Sequence, residues 1–123
     1  MLLKVNDYDV TKIVSYSVLD DEPVINNTVR MADGSVKIVM APYRDTAISV
    51  TLSGLTQAEF SAFCEVLDAD NENLVEYYSE KENGVKTGCF YLEPSEYAIL
   101  KKTPRVNLLQ DYSIVFKKLR EVN

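Results

Sequence analysis

Alternation of apolar and polar residues recurs along this 123-residue chain and restricts its fold more than any other sequence feature. Successive side chains of a β-strand point to opposite faces, so apolar residues at every second position indicate half-buried strands. The clearest sets are Val14, Tyr16 and Val18; Val36, Ile38 and Met40; Ile48, Val50 and Leu52; and Tyr112, Ile114 and Phe116. We expect the first strand to end at Asp20-Asp21-Glu22-Pro23 and the second at Ala41-Pro42.

One helix is predicted at about residues 56–69. Thr56 can cap the free backbone amides of the first turn, and Glu59, three residues later, completes a capping box. The apolar stripe of this helix comprises Phe60, Phe63, Cys64 and Leu67, at the spacing of one helical face. We expect this stripe to pack against a sheet, and both cysteines, Cys64 and Cys89, to be buried.

Asn83-Gly84, between apolar residues 74–79 and 85–92, predicts a β-hairpin because both residue types tolerate a positive φ. A two-residue loop would place Tyr77 opposite Phe90 and Val75 opposite Leu92. It would also place Lys81 opposite Lys86, so a longer loop is the alternative. We expect Val75, Tyr77, Phe90 and Leu92 to share a core with the helix stripe. With a short strand at 97–100, the total is six or seven strands around one helix, a mainly β or α+β fold.

A chain of this length and 46% hydrophobic content fits one domain, spanning residues 1–123. Residues 24–35 contain Asn26-Asn27-Thr28 and the turn Asp33-Gly34, and they are polar enough for an exposed arm or an irregular hairpin. We therefore expect an exposed arm at residues 20–35.

The chain has no histidine, which removes the commonest general base and the Ser-His and Cys-His nucleophile pairs. Its two cysteines lack C-x-x-C spacing, and no phosphate-binding glycine motif is present. Residues 68–72 resemble the start of a calcium loop, but position six is Asn73 and position twelve is Ser79, where glycine and glutamate are required. We expect no catalytic residue, cofactor or metal; an enzyme using only carboxylates and tyrosines is the remaining catalytic alternative.

The formal net charge of −6 disfavours binding to nucleic-acid phosphates, so no sequence-specific nucleic-acid partner is expected. No apolar run is long enough for a membrane helix, and no membrane partner is expected. Residues 1–7 lack the basic region and apolar core of a secretory signal, so we expect the chain to stay in the compartment where it is made.

An exposed arm and open strand edges can be used by a second copy of the same chain, which makes a ring-like homo-oligomer the favoured assembly. Tyrosine is enriched at interfaces, although strand propensity alone also explains the tyrosines of the 74–92 hairpin. The predicted oligomer interface comprises Asp21, Val24, Asn26, Arg30, Met31, Tyr78 and Tyr91.

The order of these elements resembles small tail proteins of phages and prophages of Gram-positive bacteria, related to distal-tail and tail-tube components. The resemblance spans nearly the whole chain. Related members often carry a tryptophan before the last strand, which this sequence lacks. The matching segments are residues 6–10, residues 31–34, residues 43–52, the helix entry at residues 54–60, the hairpin through Tyr77-Tyr78 and residues 87–91, and residues 112–116.

This resemblance implies an antiparallel β-sandwich flanked by one helix and built into rings of a tail tube, distal tail or baseplate. It implies a non-catalytic structural subunit of the virion tail, made in the host cytoplasm, with itself and adjacent tail proteins as partners. The alternative is a monomeric bacterial adaptor or ligand-binding β domain, which a solution mass near 14 kDa would indicate.

Overall fold

The computed structural model describes residues 2–121, and at positions 42, 43, 120 and 121 it describes the backbone only. Within this range most residues lie in nine strands, and one helix is present. The strands are β1 (Leu3–Val5), β2 (Tyr8–Asp9), β3 (Ile13–Arg30), β4 (Val36–Leu52), β5 (Asn73–Ser79), β6 (Gly84–Leu92), β7 (Ile99–Lys102), β8 (Asn107–Leu109) and β9 (Tyr112–Glu121), and the helix is α1 (Gln57–Val66). The predicted mainly β fold with a single helix is confirmed.

Seven strands form one antiparallel sheet in the order β2-β1-β5-β6-β9-β4-β3, and β7 and β8 form a separate two-stranded sheet. The large sheet is curved, so that edge strand β3 comes close to β5. The hydroxyl of Tyr16 on β3 donates to the carbonyl of Tyr78 on β5 at 2.8 Å. The two halves of the sheet therefore enclose one core. Its buried members are Leu3, Val5, Val10, Ile48, Val50, Leu52, Leu55, Phe63, Val75, Tyr77, Phe90, Leu109, Tyr112, Ile114 and Phe116.

Strands β3 and β4 are much longer than predicted. The expected strand ends at residues 20–23 and at Ala41-Pro42 are wrong, because both strands continue and their pairing resumes beyond each of these segments. Proline is tolerated in an edge strand, and the register is irregular between Pro23 and Ile25, opposite Arg44 and Met40. A register shift between Ile13 and Ser15 also leaves Val14 exposed, where the alternation predicted it inward.

Helix α1 begins as predicted, with both bonds of the Thr56–Glu59 capping box formed. It ends at Val66, earlier than predicted, because Leu67 is extended and the backbone N–H of Asp68 donates to the side chain of Asn73 at 2.8 Å. Phe63 is buried, and Phe60 and Leu67 pack against the core. The prediction that Cys64 is buried is wrong, because Cys64 lies at the outer margin of the stripe and is exposed; Cys89 is buried.

The hairpin of β5 and β6 has the longer loop. Ser79 lies opposite Gly84, so Tyr77 lies opposite Lys86 and the two-residue register is wrong. The longer loop no longer places Lys81 directly opposite Lys86. Both ammonium groups bond to Asp20, Lys81 to its carbonyl at 3.3 Å and Lys86 to its carboxylate at 3.1 Å, which offsets their repulsion. Tyr77 and Phe90 still meet edge to face, with ring centroids 5.5 Å apart. Val75, Tyr77 and Phe90 share the core with Phe63, and Leu92 packs against it, as predicted.

Candidate assembly interface

The outer half of the β3–β4 hairpin, residues 21–45, is here called the distal ribbon. Every residue from 25 to 40 is exposed. Strand β4 pairs with β9 only through residues 47–52, so within the described chain the ribbon has no neighbour strand beyond its own two. A two-stranded ribbon is marginally stable alone in water, so this one gains from a partner that covers it.

The tip of the ribbon is an ordered turn. The N–H of Met31 donates to the carbonyl of Ser35 at 2.7 Å, and the Asp33 carboxylate accepts from the N–H and hydroxyl of Ser35 at 2.9 and 2.6 Å. Gly34 has a φ of 93°, a conformation that glycine adopts without strain. The tip is therefore shaped before any contact forms.

One face of the ribbon carries a row of apolar side chains, here called the apolar row: Ile25, Val36, Ile38 and Met40. Three of them alternate along β4, and Ile25 lies directly opposite Met40, so all four project to the same side. Their exposed fractions are 56%, 54%, 52% and 46%. Contiguous exposed apolar surface of this kind marks interaction sites in soluble proteins.

A polar latch fixes the base of the ribbon to the β5–β6 hairpin. The Asp20 carboxylate, 6% exposed, accepts from the Ser79 hydroxyl and pairs with the Lys86 ammonium at 3.1 Å. Burial raises the pKa of Asp20, but the bonds from Ser79 and Lys86 outweigh it and hold this pKa below its usual value. Burial lowers the pKa of Lys86, and its bond to Asp20 outweighs that and raises it. Both groups are therefore charged and paired near neutral pH.

The backbone bends next to the latch. Asp21 has a φ of 52° inside a register shift, its N–H donates to the hydroxyl of Thr46 at 3.0 Å, and its carbonyl accepts from Arg44 at 2.9 Å. Lys81 adds an exposed pair with Glu22 at 3.0 Å. These bonds set the angle at which the ribbon leaves the sheet.

Five of the seven predicted interface residues lie on the ribbon: Asp21, Val24, Asn26, Arg30 and Met31. Tyr78 and Tyr91 lie elsewhere, on β5 and β6, and are half-buried. The Tyr78 hydroxyl donates to Asn83 at 3.2 Å, and a hydrogen bond with Glu80 raises the pKa of Tyr78. The structure therefore does not join all seven into one surface, and their role in an interface stays a prediction.

None of the four apolar-row residues is in the predicted interface, although the alternation of three of them was recognised. Val36, Ile38 and Met40 were expected to face the core, because alternation shows which residues share a face and not what that face contacts. Ile25, separated from its neighbours by bulges, gave no periodic signal.

Within residues 2–121 no group of three or more cysteine or acidic side chains is arranged to hold a metal ion. Helix α1, the one helix in this range, is neither long enough nor apolar enough to cross a bilayer. Burial raises the pKa of Tyr16 to about 12, since its side chain extends from β3 to the backbone of β5.

No protein-family model and no curated protein matches the sequence. Among solved structures, the chain is similar to a protein in the tail of an empty gene transfer agent particle, a phage-like particle, obtained by helical refinement with C6 symmetry. The TM-score is 0.58 at 13% identity, and the match covers 99% of this chain and 92% of that chain. The chain thus has the fold of a tail protein from a phage-like particle, which agrees with the resemblance noted from the sequence.

Proposed function

We propose that this protein is a non-catalytic structural subunit of a phage or prophage tail, assembled into rings through its distal ribbon. The observation that carries the proposal is the apolar row on a ribbon that nothing in the described chain covers. The fold shared with a tail protein from a C6-symmetric particle supports repetition of this subunit around an axis. Tail tube, distal tail and baseplate rings are the positions it would take.

The length of the ribbon favours a contact with a neighbouring subunit over a contact with its own domain. About ten residues separate the latch from the tip, which corresponds to roughly 33 Å at the rise of a β-strand. A chain of this size has a radius of gyration of about 14 Å, so the ribbon is as long as its domain is wide. In a ring or a stack of rings, the apolar row therefore reaches the adjacent subunit.

A matched pair of single substitutions tests this function. Ile38→Asp adds one negative charge to the apolar row, and Asn27→Asp adds the same charge to the opposite face of the ribbon. We expect Ile38→Asp to leave a folded monomer and to abolish rings, measured by light scattering and electron microscopy, while Asn27→Asp still assembles. If both variants lose ring assembly equally, or if both still assemble, the apolar row is not part of the interface.

The unmodified chain tests the function itself. Rings should form at high concentration, alone or with the proteins encoded beside it, and rings of this chain alone should have a mass that is a multiple of 13.9 kDa. A mass that stays at 13.9 kDa in every mixture would reject the tail-subunit function and favour the monomeric adaptor.

A further inference from the structure

A second exposed surface lies where the β7–β8 hairpin packs beside α1. The hairpin is held by the N–H of Leu109, which donates to the Leu55 carbonyl at 2.9 Å, and by Phe60 and Tyr97, whose ring centroids are 5.0 Å apart. Between the hairpin and the helix is an open cleft of about 400 Å³, bordered by Cys64 and Ile99. The sequence alternation indicated one short strand at residues 97–100 and missed β8, whose three residues are too few for a periodic signal.

This surface combines exposed apolar and basic side chains. Tyr97, Ile99 and Leu100 are 58%, 55% and 61% exposed. Lys101, Lys102 and Arg105 follow, and residues 97–110 contain no acidic residue. Among the described side chains, none of these three basic groups forms an ion pair. In a chain with net charge −6, this is a positive surface without a countercharge of its own.

The opposite charge is concentrated at the other end of α1. The acidic loop, residues 67–72, carries three acidic residues and no basic one: Asp68, Asp70 and Glu72. This loop is rigidly held, because the side chain of Asn71 both donates to the carbonyl and accepts from the N–H of Leu92, each at 2.9 Å. Asn71 itself has a φ of 57°. Asp68 and Asp70 are exposed on this loop, and the Asp68 carboxylate also accepts from the N–H of Asp70 at 3.0 Å, which helps to hold the loop in place.

The two surfaces do not pair with each other within the described chain. The β7–β8 hairpin is bonded to Leu55 and Thr56, just before α1, and the acidic loop follows the last residue of α1, Val66. The helix between these two points is about 15 Å long, and none of the three basic side chains of the hairpin forms an ion pair with the acidic loop. Two complementary surfaces at opposite ends of one protomer are the requirement for a head-to-tail contact between copies.

We infer that the basic surface of the β7–β8 hairpin docks on the acidic loop of a second copy, giving a lateral contact distinct from that of the distal ribbon. The inference rests on the proposed function and adds the partner surfaces of the ring. The exposed apolar residues Tyr97, Ile99 and Leu100 supply the area that desolvates the charged contact. A nucleic-acid partner is disfavoured, since the rest of the chain repels phosphates.

Charge reversal in a mixture tests the inference. One variant carries Lys101→Glu with Lys102→Glu, and the other carries Asp68→Lys with Asp70→Lys. Each alone places like charges in its contact, so we expect at least about a tenfold rise in the concentration needed for assembly. An equimolar mixture pairs opposite charges at every contact and should restore rings of alternating subunits, as should one chain carrying all four substitutions.

The control is Lys4→Glu with Asp9→Lys, which reverses two charges that face each other across β1 and β2. It should assemble like the original chain. Circular dichroism and thermal melts confirm that each variant is folded. Failure of both the mixture and the four-substitution chain to recover, with all variants folded, would overturn the inference, as would binding of an oligonucleotide that competes with assembly.

The outcomes separate this inference from the proposed function. If Ile38→Asp abolishes rings and the charge reversals leave them unchanged, the tail-subunit function stands and the lateral contact is wrong. If the unmodified chain never assembles, both are rejected.

Discussion

Asp20 is the residue on which the direction of the distal ribbon depends most. Its carboxylate joins Ser79 and Lys86 of the β5–β6 hairpin to the strand that leads into the ribbon. In the sequence, Asp20 begins a run of three acidic residues, where the first strand is predicted to end and an exposed arm to begin. In the structure Asp20 is buried and Asp21 is exposed, because the register shift between Leu19 and Glu22 turns the chain there.

Asp20→Asn should destabilise the fold by about 1 to 3 kcal/mol at pH 7, because Lys86 loses its buried partner and keeps only the exposed Glu82, 3.3 Å away. The folded pKa of Asp20 lies below its ordinary value of 3.8, so the unfolded chain takes up the proton first as the pH falls. The stabilisation by Asp20 is therefore complete above that value and is lost as the pH falls through the lower folded pKa. Urea unfolding at pH 7, 4 and 3 should show the difference between the two proteins shrinking with acidity.

Glu22→Gln is the control for this prediction. It breaks the exposed Lys81–Glu22 pair and should cost less than about 1 kcal/mol. Equal effects of Asp20→Asn and Glu22→Gln, or a difference that grows in acid, would contradict the account of the latch.

Gly88 leaves space for a buried ring. A Cβ at Gly88 would lie 2.8 Å from Cε1 of Phe90, which is fully buried and has little room to move. Gly88→Ala should therefore destabilise the fold by about 1 to 3 kcal/mol. Gly84→Ala on the same strand is the control, since its Cβ would meet only the Glu82 carbonyl at 3.8 Å. Thermal melts that rank the two variants in the opposite order would contradict this packing.

At the scale of elements, the distal ribbon behaves as a separable appendage of the sheet. Replacing residues 25–40 by Asn-Gly should change the free energy of unfolding by less than about 1 kcal/mol, because every replaced residue is exposed. The truncated chain should be a monomer. A loss of several kcal/mol would show that the ribbon packs on its own domain, and rings formed without it would show that assembly does not need it.

The elements differ in how far the sequence could predict them. The start of α1 was predictable because a capping box is encoded within four residues, Thr56 to Glu59. The β5–β6 register was not, because it depends on the contact between Lys86 and Asp20, which are 66 positions apart. The continuation of β3 through Pro23 was hidden for a similar reason, since only the topology shows that β3 is an edge strand.

The candidate interface was predicted only in part. An exposed arm was predicted at residues 20–35 from its polarity, and five of its residues were named. Residues 25–35 are exposed, whereas Asp20 is buried. The other half of the interface, in β4, has the apolar alternation of a core strand, and exposure alone distinguishes the two. An assembly surface imitates a core strand in sequence because both bury one face, one within the chain and the other between chains.

At the scale of the whole molecule, labelling of the two cysteines can show whether the subunit has assembled. Cys64 is exposed beside the α1–hairpin cleft and Cys89 is buried, so the free subunit should react with one maleimide per chain. Although Cys64 is exposed, partial burial of its thiol raises the pKa of that thiol. The reaction should therefore be faster at pH 8.5 than at pH 7. If the lateral contact covers the cleft, rings should protect Cys64, measured by mass spectrometry. Unchanged labelling in rings would leave the cleft outside the contact.

The irregular edge of β3 has a consequence for the subunit before it assembles. An exposed strand rich in valine and isoleucine can recruit copies of itself into open-ended aggregates. Four register shifts and Pro23 interrupt the edge of β3, and Arg30 and Lys37 add charge near the tip. Such interruptions act as gatekeepers against edge-to-edge growth. The β3 edge of the ribbon is therefore protected against such growth while the apolar row stays exposed, so a free subunit is less prone to aggregate through that edge before it meets its neighbour.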